Sequence, residues 1–147
     1  PKVKAMVSFT HGEGFGRPLL EATMTGLPVM TSGWSGQLDF LDGERAVLVR
    51  GEMKEVPASQ HWENIVIPES KWFNIDENSA YKFLNDMYMH NDVYKRRAGD
   101  LMEENRKKFT LSNMAKELDK IVEKNTKDLP SQVSIKLPKL KKTKEKI

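Results

Sequence analysis

The sequence contains no cysteine. That excludes a disulfide framework and thiolate metal sites, and it fits a reducing, cytoplasmic compartment. No stretch approaches the roughly 20 consecutive apolar residues of a membrane-spanning helix, and no basic-then-apolar secretory leader precedes the first apolar segment. Internal repeats, sustained heptads and clusters of metal-ligating residue types are also missing. Residues 131–147 lack aromatic side chains, which argues against base stacking there and against nucleic acid as a partner.

What is present suits an ordinary globular domain: 147 residues, 38% hydrophobic and 31% charged, enough to bury a core. The net charge of +3 is unevenly spread. From Lys127 onward seven lysines face only Asp128 and Glu145, a local excess of +5 that leaves the remainder at −2. The basic character therefore belongs to the tail. Beyond Pro130 the apolar residues are too sparse to bury, so 130–147 reads as a flexible or partner-docked basic tail, with an anionic partner (nucleic acid or a lipid surface) as the sharper alternative. The chain opens on Pro1 directly before a core-type strand, so a fragment of a longer polypeptide is expected.

The most informative stretch is 7–22. An apolar run through Val3, Ala5, Met6, Val7 and Phe9 has strand character and stops at Thr10-His11-Gly12. Gly12, Gly14 and Gly16 then alternate with Glu13 and Phe15, which lets the backbone bend tightly and approach a ligand. Pro18 suits the first turn of a helix, and Gly26 suits its end. A strand, a glycine turn and a helix N-terminus together present backbone N–H groups and a positive dipole end to an anion. Glu13 and Glu21 frame the turn; an ionised carboxylate accepts hydroxyl hydrogens, so the pair suits a ligand carrying both phosphates and hydroxyls. Taken singly, Glu21 could merely complement the helix dipole and Glu13 be a solvated loop residue.

Further along, residues 28–31 and 46–49 read as short buried strands, with a second glycine turn at Gly33 and Gly36 between them. Trp34 and Asp39 there are open between ligand contact and a simple connection. Ile65-Val66-Ile67 suggests an edge strand, and His61 a surface or partly buried histidine rather than a catalyst. Asp76 caps a helix whose face is Ala80, Phe83, Leu84, Met87 and Tyr88. A weaker amphipath covers 92–107. Leu111, Met114, Ala115, Leu118, Ile121 and Val122 define a last apolar face, read as core material. The alternation of strands and helices predicts an α/β, Rossmann-like, mainly parallel open sheet with flanking helices and a C-terminal helical segment, with ligands at the carboxyl ends of the strands.

The letters Glu13-Gly14-Phe15-Gly16-Arg17-Pro18-Leu19-Leu20-Glu21-Ala22, followed by Gly26-Leu27-Pro28-Val29, closely resemble the Glu-x7-Glu signature of the GT-B glycosyltransferases of the glycogen-synthase-like, retaining group. The resemblance covers about residues 3–125 and is strongest over 11–49. It implies that 1–129 is part of the C-terminal, nucleotide-sugar-binding domain of such an enzyme. The donor would be a nucleotide-diphosphate sugar, with no separate cofactor and no metal.

On that resemblance Glu13 would be the catalytic-centre residue, binding sugar hydroxyls near the anomeric carbon. The backbone of Gly14, Phe15 and Gly16 would contact the sugar or diphosphate, and Glu21 would accept the two ribose hydroxyls. Retention in this group is attributed to same-face attack, so no enzymic nucleophile is expected. The family's diphosphate-neutralising Arg and Lys lie upstream of the signature, with Arg17 a possible local substitute. The acceptor-binding N-terminal domain would have to come in cis or in trans, and the fragment alone is expected to be inactive. The rival reading is a non-catalytic interaction module on the same fold; an epimerase acting on the same ligands is a third.

Overall fold

The computed structural model describes residues 3–127. The basic tail at 130–147 lies outside the described residues. By contacts the chain divides into two compact units, Pro1–Thr110 and Leu111–Ile147.

The first unit is α/β. Strands β1 (Met6–Ser8), β2 (Val29–Ser32) and β3 (Val47–Val49) form a parallel sheet in that order, with Met6 opposite Val29 and Met30 opposite Val47. Helix α1 (Arg17–Met24) makes the crossover from β1 to β2, as parallel pairing requires. Every residue of β2 is buried, the continuous burial expected of a central parallel strand. Side chains alternate across the sheet and divide the core in two. Val29 joins Leu19, Leu20, Phe40, Leu41 and Leu101 on one face. Met30, Val47 and Val49 meet Ala80 and Met87 on the other.

Helix α1 begins one residue before Pro18, with Gly16 as its left-handed N-cap at φ 83°. Its end follows expectation: Gly26 stands at φ 73°, which glycine adopts without steric cost. The connection from β2 to β3 carries a 3₁₀ turn, Gly36–Asp39. Arg45 fastens this connection, bonding Asp42 at 2.5 Å and Glu104 at 2.6 Å.

Helices α2 (Glu77–Met89) and α3 (Asn91–Lys108) complete the unit. The Asp76 carboxylate caps α2, accepting from the backbone of Asn78 and Ser79. The face anticipated for α2 is only half covered: Ala80 and Met87 are buried, whereas Phe83, Leu84 and Tyr88 are exposed. The sheet covers a seam two turns long, narrower than the apolar stripe. From α3, Ala98, Leu101 and Asn105 are buried. The Asn105 amide donates to Thr23 Oγ1 at 2.9 Å and to the Phe40 carbonyl at 3.1 Å.

Two expectations are overturned. The segment Ile65-Val66-Ile67 is not an edge strand; it makes a single bridge, Val66 to Trp62, within a tight turn. The additional strands are instead β4 (Gly51–Glu55) and β5 (Lys71–Ile75), an antiparallel pair with Gly51 opposite Ile75. Strand β4 is exposed along its length, so it carries none of the apolar alternation that marks a strand in sequence. Nor is the last apolar stripe core material. In the second unit, α4 (Leu111–Thr126) has no buried residue, and Leu111, Met114, Leu118, Ile121 and Val122 are all exposed. Periodicity shows that a face wants cover without saying what covers it, and the two cores above close with residues of the first unit.

Candidate functional site

The glycine turn sits where the sequence puts it, between the end of β1 and the start of α1. Glu13 is half-buried, and its Oε1 accepts from the Gly16 N–H at 3.1 Å. It thereby satisfies one of the donors a helix start leaves open. Glu21 lies one turn into α1, where its Oε1 accepts from Arg17 Nε at 2.8 Å. Both partners of that pair are well exposed, at 83% and 60%, so it adds little stability. Each carboxylate is thus held through one oxygen, while its other oxygen has no partner among the described residues. The Gly14 and Phe15 amides likewise have none among the described residues. The Phe15 ring packs at 5.2 Å from Phe40 and 6.1 Å from Phe109, which fixes the turn from below.

The second turn is locked onto the first. A side chain on Gly36 would place its Cβ 1.9 Å from the Gly14 carbonyl oxygen, so only glycine permits this approach. Next to it Ser35 has φ 78° and ψ −163°, a conformation that costs a side-chain-bearing residue about 1–3 kcal/mol. Its hydroxyl donates a short hydrogen bond to the Glu13 carbonyl, which helps hold the strained backbone. Gln37 is buried beneath, donating to the Ser32 carbonyl at 3.0 Å and to Ser32 Oγ at 3.1 Å, while its Oε1 has no partner among the described residues. Asp39 lies on the 3₁₀ turn, with its carbonyl accepting from Lys108 Nζ at 2.9 Å.

Both turns are braced by β5. Trp34 stacks on Phe73 at 5.7 Å, and His11 on Trp72 at 4.8 Å, each within 7° of parallel. His11 and Phe73 also exchange two hydrogen bonds: the Phe73 N–H donates to the His11 carbonyl at 3.1 Å, and His11 Nδ1 lies 3.0 Å from the Phe73 carbonyl. A carbonyl only accepts, so Nδ1 carries the proton and Nε2 of the neutral ring is an acceptor. His61, by contrast, is exposed and uses its ring on the Val56 carbonyl at 3.0 Å.

A cavity of about 700 Å³ lies off the carboxyl ends of β1 and β3, between Phe9, His11, Arg50 and the β5–α2 junction at Asn74–Glu77. Neither Glu13 nor Glu21 lines it. Sequence reasoning missed this place because Arg50, Asn74 and Glu77 converge only through the β4–β5 pairing. Gly51 offered the one signal: its Cβ would fall 2.1 Å from the Asn74 carbonyl oxygen.

Among the described residues no group of three or more His, Cys, Asp or Glu side chains is placed to hold a metal. Nor is any described helix long and apolar enough to cross a membrane. In comparisons with protein-family models, curated proteins and solved structures, the chain matches none.

Proposed function

We propose that this chain is the donor-binding portion of a retaining glycosyltransferase of GT-B type, which moves a sugar from a nucleotide-diphosphate sugar to an acceptor. One observation carries the reading: the uncommitted Gly14 and Phe15 amides lie at the start of α1, between two carboxylates that each keep an oxygen free. Amides and a helix dipole end suit the charge that grows on a departing diphosphate. The free oxygen of Glu13 suits a sugar hydroxyl close to the anomeric carbon, and that of Glu21 suits ribose hydroxyls. Arg17 holds Glu21 through Nε and has further N–H groups for a phosphate. In this reading the turn binds and orients the donor, and catalysis needs an acceptor-binding partner domain.

Saturation-transfer NMR with UDP-, GDP- and ADP-sugars tests the proposal. Signal transfer to at least one donor is expected. Each of Glu13→Ala and Glu21→Ala should weaken binding by about ten- to a hundredfold, the effect of losing a hydrogen bond to a charged group. Absence of transfer from every donor, or transfer indifferent to both substitutions, overturns it. The exposed apolar stripe on α4 favours a second reading, an interaction module that keeps the fold without catalysis. That reading gains if no donor binds and a protein partner protects Leu118 and Ile121 from solvent.

A further inference from the structure

We infer that the cavity off the carboxyl ends of β1 and β3 binds a neutral carbohydrate of one or two rings, at a place separate from the glycine turn. In open α/β sheets ligands gather outside the carboxyl ends of the strands. The volume, about 700 Å³, falls within the usual range for small-molecule sites, roughly 300–1,000 Å³.

The groups around the cavity select the ligand by what they have left to offer. Lys54 is committed to Glu52 at 2.9 Å. Asp76 spends its oxygens on Asn78 and Ser79, so the amides that would draw an anion to the start of α2 are already satisfied. Arg50 and Glu77 remain, their side chains without a hydrogen bond or ion pair among the described residues. The lining carries Arg50 and Lys54 against Glu52, Asp76 and Glu77, a balance of −1 that gives an anion no net attraction. Asn74 donates its amide to the Trp72 carbonyl at 3.1 Å, leaving its oxygen as an acceptor. His11 Nε2 is an acceptor for the reason given above. Three acceptors and one guanidinium with several donors complement a set of hydroxyls, each of which both donates and accepts. Phe9 and Ile75 supply an apolar wall for the C–H face of a sugar ring. A phosphate would find one uncommitted cation opposite a carboxylate, and a purely apolar ligand would leave these polar groups unpaired.

In the glycosyl-transfer reading this carbohydrate is a remote part of the acceptor, whose reacting end the partner domain holds. That role rests on that reading; the binding itself does not. Amide-detected NMR titration of the intact chain with glucose and maltose tests the site, with glucose 6-phosphate and UDP as charged comparators. Maltose should shift the amides of Phe9, Arg50, Asn74 and Glu77. Arg50→Ala and Glu77→Ala, both at exposed positions that leave the fold intact, should each weaken it by about tenfold. Absence of saccharide shifts, shifts indifferent to both substitutions, or tighter binding of UDP than of maltose at these residues overturns the proposal. Nucleotide-sugar shifts confined to residues 12–21 report on the donor site separately. Maltose binding without any nucleotide-sugar binding keeps the cavity site and removes its acceptor role.

Discussion

Gly36 shows how a single missing carbon holds two turns together. Gly36→Ala must push the Gly14 carbonyl away, because a Cβ 1.9 Å from a backbone oxygen cannot be accommodated by a side-chain rotation. We expect a loss of about 1–3 kcal/mol, the usual cost of overpacking, read as a lowered urea midpoint, together with shifted amide resonances at Gly14 and Phe15. Asp42 makes a residue-scale prediction about acid. Burial acts to raise its carboxyl, but the hydrogen bonds and charge of Arg45 outweigh it and hold the group below its ordinary 3.8. A depressed folded value stabilises the fold above the unfolded carboxylate range and loses that stabilisation as pH falls through the folded value. Asp42→Asn should therefore lower the urea midpoint at pH 7 and flatten its decline below about pH 4; an unchanged acid profile would refute this. The glycines and the two glutamates were legible as letters. Arg50, Asn74 and Glu77 were not, because their meaning depends on a chain pairing that brings distant positions together.

At the scale of elements, Asn105 is the polar tie between α3 and α1. It is buried to 1% exposure, and it spends its amide on Thr23 and Phe40. Asn105→Ala removes both bonds and leaves the Phe40 carbonyl without this donor, a loss of about 1–3 kcal/mol measurable by denaturant melts. Asn105→Asp, which cannot donate from that position when ionised, should be at least as damaging near neutral pH. The elements most easily read ahead were those with a strong period or clear punctuation: α1 between its glycines, α2 behind Asp76, and the buried runs of β2 and β3. The β4–β5 pair escaped because polar residues fill β4, and its pairing is set by its partner rather than by its own pattern. The stripe on α4 was read correctly as amphipathic and incorrectly as core, since amphipathicity is a property of one helix and burial a property of two surfaces.

Across the Pro1–Thr110 unit, stability should be graded outward from β2. That strand is paired on both edges and buried on both faces, whereas β4 is exposed throughout. Hydrogen exchange should accordingly find the Met30 and Thr31 amides among the slowest and those of β4 far faster, since protection follows burial and contact density. Comparable protection in both strands would contradict this ordering. The α/β character, the parallel sheet and its flanking helices followed from the alternation of strand and helix signals. The position of the cavity did not, for it is enclosed by the ends of segments nearly 70 residues apart.

The rings of Trp72 and Phe73 dock on His11 and Trp34 from β5, and the ladder from Gly51–Ile75 to Glu55–Lys71 closes before the chain wanders through 56–70. The wandering segment therefore hangs from a clasp already shut at its base. Extra residues spliced between Pro57 and Pro68 would lengthen a loop whose ends are fixed, at an entropic cost that grows only slowly with length. Such grafts leave the two glycine bends where they are, so this loop can diversify without disturbing the candidate site beside it.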